Sequence, residues 1–391
     1  MVRAFGQDGM PGRRPSEPAE QNGKPMHAGC RRPKRGLASL FPAPYRHLHG
    51  RVDNLVEPFL TSRLPPLGVG ASILVEDYCP DIEMNAPLPL PDHPVLADEI
   101  RDVQRATWAG LSAGWEKWDS VIMEQLGPVG AAIIERLDIA EDHQHLDIAA
   151  GTGEPGLSIA RLSPKGRVVL TDLVAEMLDV AARRARAQGV ANIETKVCSA
   201  DDLPFNDATF DSVSVRFGYM FFPDMGKATA EFARVLKPGG RLCSSVWVKP
   251  EENPWTTIAM QAIATEAVVA PPDPDGPNMF RCAAPGYVSA LYENAGLRDV
   301  AEWDVDVELV TRSPAQYWEM ISEHVSLAVA ALQQVDELAR ERIRANAIAK
   351  VSAFEKDGKV RVPGVARCIV GTKQDASGTR PRDGALSSIA G

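Results

Sequence analysis

The segment 145–156, HLDIAAGTGEPG, constrains this 391-residue chain more than any other. A short strand-like run leads into Gly151, Gly153 and Gly156, and residues 156–162 (GLSIARL) then take helical spacing. A glycine-rich turn between a strand and a helix lets backbone approach a ligand beside a helix N-terminus. That is the first unit of a doubly wound sheet. The next apolar run, RVVLTD, ends on Asp172, nineteen residues after Gly153. From there a carboxylate can reach ribose hydroxyls.

The pattern around this unit is regular. Residues 97–118 and 121–137 space apolar side chains three and four apart, as helices do. Strands are expected at 145–150, 167–172, 193–199, 210–217 and 241–248. Helices are expected at 156–162, 175–188 and 227–236, the second ended by Gly189. Such alternation implies a mainly parallel sheet. Beyond Trp255 the spacing predicts a helix to about residue 270 and, after a Pro-rich bend, a helix at 285–295. A strand at 300–309, a long helical stretch at 314–354 and a last strand at 360–372 follow.

Composition excludes some functions. The formal net charge is -10, against a nucleic-acid or anionic-membrane partner, since both select clustered Lys and Arg. No uninterrupted apolar run approaches a bilayer-spanning length. The six cysteines contain no CxxC pair, which fits neither a zinc site nor a disulfide framework and suits a reducing, cytoplasmic setting; no metal is expected. Between Met1 and Arg63 there are eleven Lys or Arg against five Asp or Glu, without sustained periodicity. Residues 1–83 read as a disordered basic extension, with Met84 a plausible natural start. Residues 84–373 read as the domain and 374–391 as a frayed tail.

Gly151, Gly153 and Gly156 form a literal G-x-G-x-x-G, so NAD and S-adenosylmethionine (SAM) must both be weighed. NAD sets a doubly negative pyrophosphate at the helix N-terminus; SAM sets a zwitterionic methionine and a sulfonium cation there. Asp147 before the first glycine and Glu154 after the second would repel the former and suit the latter.

These segments resemble class I SAM-dependent methyltransferases. LDIAAGTGEPG is similar to their first motif, TDLVAEMLDVAARRA to the second, CSADDLPFNDATFDSVSVRFGYMFFPD to the stretch across strands three and four, and ARVLKPGGRL to the turn into strand five. The Phe217-Gly218 pair brings the resemblance nearest to the ubiquinone/menaquinone biosynthesis C-methyltransferases (UbiE/COQ5-like, methyltransferase type 11). It implies a Rossmann-like three-layer α/β sandwich with a mostly parallel seven-stranded sheet and an antiparallel last strand. The core would span 143–249 and a helical cap 250–285 and 314–354. It implies SAM as cofactor and methyl transfer to C or O of a hydrophobic small molecule of quinol, aromatic, polyketide or isoprenoid type. An NAD-dependent oxidoreductase and a non-catalytic SAM-binding protein are the alternatives.

Carried over, the resemblance implies that Asp147 orients the loop and faces the methionine amino end. Ala149, Gly151, Thr152 and Gly153 would line the methionine and sulfonium. Asp172 would hold the ribose, with Leu173 and Met177 against the adenine and Ser199-Ala200 at its edge. Many relatives have Asp where Ser199 stands, so Asp201 is the alternative partner for the adenine amino group. Arg216 replaces an often small or polar residue; it would bind the cofactor carboxylate, an anionic substrate or a structural carboxylate. Trp115, Trp118 and Tyr219 are candidates for the acceptor pocket, with core packing as the ordinary alternative. His324 reads as an ordinary helix histidine with a general base as the rival. No catalytic residue is assigned. The fourth strand lacks the (Asp/Asn)-Pro-Pro-(Tyr/Phe) tetrad, which disfavours adenine and amide nitrogen acceptors.

Overall fold

In the computed structural model, residues 94–267, 273 and 276–374 are described. The expectations for 1–83, for a start at Met84 and for most of the tail lie outside them. Helices α1 (Pro94–Lys117) and α2 (Asp119–Leu137) precede β1 (Gln144–Ile148), α3 (Gly156–Leu162), β2 (Arg167–Asp172), α4 (Ala175–Ala187) and β3 (Ile193–Val197). Next come β4 (Phe210–Arg216), α5 (Met225–Val235), β5 (Leu236–Trp247), α6 (Pro254–Ile263), α7 (Tyr287–Asn294) and β6 (Leu297–Thr311). The chain continues through α8 (Pro314–His324), α9 (Ser326–Leu332), α10 (Glu337–Val351), β7 (Glu355–Lys356) and β8 (Lys359–Lys373).

The strand order is β3-β2-β1-β4-β5-β8-β6, with β7 paired to β8. β1 to β5 are mutually parallel, and β8 runs antiparallel to both β5 and β6. The sheet is therefore the expected mainly parallel one, but with eight strands where seven were expected. The extra strand is the short first arm of a hairpin. Asp357 and Gly358 both have positive φ (52° and 72°), as a tight two-residue turn of the primed type requires.

Local sequence explains the layering. The central strands are buried along their length because both faces are covered. On β5, Tyr292 of α7 donates its hydroxyl to Ser244 at 2.7 Å, whereas the adjacent Cys243 senses Arg136 of α2. Successive strand residues point to opposite faces, so α2 and α7 cover opposite sides. The edge strand β3 exposes Glu194 and Lys196, charges that discourage pairing with another chain.

The stretch 314–354 is not one helix. Val325 adopts an extended conformation after α8, and Asp336 caps α10 by accepting from the Ala339 N–H at 2.8 Å. The pieces fold onto α6 and α1: Tyr317 of α8 donates to the Trp255 carbonyl at 2.9 Å. Among the described residues no helix is long and apolar enough to cross a membrane.

Candidate active site

The glycine loop joins the tips of β1 and β2. Ala149 (φ 51°), Gly151 (φ 53°) and Gly153 (φ 107°) all occupy the left-handed region; the non-glycine Ala149 is the strained one of the three. The Gly151 N–H donates to Asp172 Oδ2 at 2.9 Å, and the Val174 N–H donates to Oδ1 at 3.0 Å. Burial of the carboxylate pushes the Asp172 pKa up to about 6 against those hydrogen bonds.

Asp147 is fully buried beneath the loop. Its Oδ2 accepts from the Gly156 N–H at 3.0 Å and its Oδ1 from the Ser214 hydroxyl at 2.6 Å. Burial pushes its pKa up to about 7. A Cβ on Gly156 would lie 2.3 Å from Leu170 Cδ2 and 2.8 Å from Asp147 Oδ2, so α3 meets the sheet this closely only through a glycine. The neighbouring His145 lies between Ser212 Oγ (2.8 Å) and Ser214 Oγ (2.9 Å). Because Ser214 donates to Asp147, His145 donates to Ser214 through Nε2 and accepts from Ser212 at Nδ1. Burial depresses its pKa to about 3, so the ring is neutral.

Both oxygens of Asp147 are thus occupied by the protein, and the side chain is fully buried. Glu154 also turns to the helix, accepting from the Ser158 N–H at 3.1 Å, with Arg161 at 3.5 Å. Two amides at the start of α3 are therefore already bonded to the chain's own carboxylates. Thr152 is buried; its carbonyl accepts from Arg184 at 2.6 Å, and Arg184 pairs with Asp119 at 3.1 Å. Leu173 is partly exposed beside this loop, while Met177 is buried at 3% exposure.

At the tip of β3, Ser199 donates to Asp201 Oδ1, and Arg101 of α1 pairs with Oδ2 at 2.7 Å. Ala200 between them is partly buried. Asp201 thereby latches α1 to the sheet, and both its oxygens have partners before any ligand arrives. Among the described residues no carboxylate lies within ion-pair distance of Arg216, whose guanidinium contacts Met123 Sδ at 3.6 Å. Desolvation lowers its pKa, opposed by Asp147 and Glu154 farther off. The direct structural salt bridge, one of the three roles expected of Arg216, is therefore absent among the described residues.

Two of the acceptor-pocket candidates, Tyr219 and Trp118, are buried in the core. Tyr219 is fully buried on the α5 and α7 side, its hydroxyl 3.1 Å from Thr229 Oγ1 and its ring against Phe232 and Tyr292. It is a core residue because the turn after β4 folds back onto α5. Trp118 is buried at the junction of α1 and α2, donating Nε1–H to Glu323 Oε2 at 2.7 Å. Trp115 remains partly exposed and packs with Trp108 and His324. Asp119, Arg101, Arg184 and Ser214 join the site without having been singled out. Each acts on a partner at least 32 residues away, so no local pattern marks them.

Residues 104–266 match the family model described as the ubiE/COQ5 methyltransferase family. Among curated proteins, the chain is 42% identical over 122 residues to the ubiquinone/menaquinone biosynthesis C-methyltransferase UbiE of Cellvibrio japonicus, covering 31% of this chain and 49% of that one. It is 43% identical over 110 residues to the protein of the same name from Marinomonas sp., covering 28% and 44%. It is 43% identical over 99 residues to the demethylmenaquinone methyltransferase of Thermus thermophilus, covering 25% and 44%. The chain spans about half the length of the curated relatives it matches.

Proposed function

We propose, on the premise of this resemblance to ubiE/COQ5 methyltransferases, that the chain transfers a methyl group from SAM to a carbon or oxygen of a hydrophobic small molecule of quinol, aromatic, polyketide or isoprenoid type. The observation that carries this reading is the occupied start of α3. A dinucleotide's pyrophosphate needs free amides at that position; here Asp147 and Glu154 hold the Gly156 and Ser158 amides. What the loop offers instead is backbone beside the Asp172 carboxylate, which suits a sulfonium and an ammonium.

The residues present fit such a cofactor. Asp172 at the tip of β2 would accept from the ribose hydroxyls, Leu173 would lie beside the adenine, and Gly151, Thr152 and Gly153 would flank the methionine. Ser199 and Ala200 are the adenine-edge candidates at the tip of β3. When bound, SAM supplies an already activated methyl group. The protein's remaining tasks are to align the acceptor and exclude water. The apolar cap of α1, α6, α8, α9 and α10 suits a hydrophobic acceptor, and the acidic surface disfavours a nucleic-acid substrate.

Transfer of label from methyl-labelled SAM to a panel of quinols, phenols and isoprenoids tests this reading. Labelled product from hydrophobic members is expected. Label on highly charged or polymeric acceptors alone would contradict it, and binding of SAM without product from any acceptor would mark a non-catalytic binder.

A further inference from the structure

Arg216 ends β4 at the level where the glycine loop begins. Ile148 pairs with Val215, so Arg216 stands one residue further, beside Ala149. The two strand tips meet closely, since a Cβ on Gly218 would lie 2.8 Å from Ala149 Cβ. Strand alternation puts the Arg216 side chain on the face of Ser214, whose hydroxyl donates to Asp147. The contact with Met123 Sδ of α2 at 3.6 Å agrees with that face. The guanidinium thus lies on the side of the sheet where α2 and α3 meet the loop.

The charge of this side chain is unspent. Its Nε and Nη1 have no acceptor among the described residues, and neither is sealed from solvent. Surrounding protein desolvates the guanidinium, opposed by the charges of Asp147, Glu154 and Asp119, yet the side chain is only half-buried. It therefore lines a recess and is not part of the core. Those three carboxylates already serve other groups: Asp147 the Gly156 amide and Ser214, Glu154 the Ser158 amide, and Asp119 the Arg184 guanidinium. Three other guanidiniums at the strand tips are also taken. Arg184 donates to the Thr152 carbonyl at 2.6 Å, Arg101 pairs with Asp201 at 2.7 Å, and Arg161 donates to Ser158 Oγ at 2.9 Å. The loop has open space beside it, since a Cβ on Gly151 would meet nothing within 4 Å. A desolvated cation without a counter-charge is costly to keep, and an uncharged side chain would serve if packing were the only requirement.

We propose that Arg216 is the cation that holds the carboxylate of the cofactor's methionine. That end of SAM is zwitterionic, and its carboxylate needs a partner when it leaves water. Arg216 has donors left for it where Arg184, Arg101 and Arg161 are engaged. A guanidinium presents parallel N–H groups in a planar fork that matches the two oxygens of a carboxylate. The pairing fixes the methionine end and so aims the sulfonium methyl group; Arg216 binds, and no bond is made or broken at it. The inference rests on the methyl-transfer reading and gives a role to a residue which that reading leaves unused.

The test is calorimetric titration of the full chain with S-adenosylhomocysteine and with its decarboxylated form, which lacks only that carboxylate. The unmodified chain is expected to bind the decarboxylated ligand at least about tenfold more weakly. Arg216→Met keeps the length of the side chain and drops its charge. It is expected to weaken S-adenosylhomocysteine about tenfold to a hundredfold, without weakening the decarboxylated ligand by more than about threefold. Arg216→Lys keeps a cation without the fork and is expected to fall between the parent and Arg216→Met for S-adenosylhomocysteine. Equal affinity of the unmodified chain for the two ligands overturns the proposal, and that comparison needs no variant to fold. An equal loss for both ligands in Arg216→Met also overturns it. So does an unchanged S-adenosylhomocysteine affinity, which would assign Arg216 to an anion on the acceptor. In each of these cases methyl transfer stands. If the unmodified chain binds neither ligand, the methyl-transfer reading itself falls, and this inference with it.

Discussion

Asp172 serves the fold and the proposed ligand with one carboxylate. It holds the Gly151 and Val174 amides, and the same oxygens would receive the ribose hydroxyls. Its pKa, raised to about 6 by burial, sets the pH dependence. The ionised form accepts hydroxyl donors and attracts a cation, so SAM affinity measured by calorimetry should strengthen as pH rises through about 6 and then level off. Asp172→Asn should flatten that profile, and Asp172→Ala should weaken binding by about 1–3 kcal/mol. Asp147 makes a separate case. Its pKa, raised to about 7, means the folded state favours the protonated form. The stability from this group is present below the ordinary carboxylate range and is lost as pH rises through about 7. Asp147→Asn keeps an acceptor for the Gly156 amide, so urea midpoints in the variant should fall less between about pH 4 and about pH 8 than in the parent. Both aspartates stand out in the sequence by their spacing from the glycines. Their partners do not, because Ser214 reaches Asp147 only once β1 pairs with β4.

At the scale of elements, two glycines set how closely helices approach. Gly156→Ala would drive a methyl group to 2.3 Å from Leu170 Cδ2 and 2.8 Å from Asp147 Oδ2. Denaturant unfolding should show a loss of about 1–3 kcal/mol, with weaker cofactor binding because the loop moves with α3. Gly114→Ala would put Cβ 2.3 Å from the Glu323 backbone oxygen. Backbone cannot swing aside as a side chain can, so α1 should lift from α8, read as faster amide exchange along α1 with the sheet's protection unchanged. The apolar periodicity made α1, α2 and α4 legible. It could not divide 314–354, because the breaks at Val325 and Asp336 carry no Gly or Pro. The Asp357-Gly358 hairpin was written in the sequence as an Asp-Gly pair, in the gap between the expected helical stretch and the last strand.

For the whole molecule, the alternation of strands and helices was enough to specify a parallel sheet, since each βα unit is local. An antiparallel last strand came from the family resemblance; its place between β5 and β6 did not, as no local pattern encodes which strands become neighbours. The cap was legible as apolar helices but not as a layer sharing rings with α1, because those contacts join residues more than 200 positions apart. The central claim is that the β1–β2 tips hold a sulfonium cofactor and refuse a diphosphate. Isothermal titration calorimetry of the chain with SAM, S-adenosylhomocysteine and NAD tests it most directly. The account predicts saturable binding of the first two and none of NAD. Binding of NAD, or no heat with SAM and its product, would contradict it.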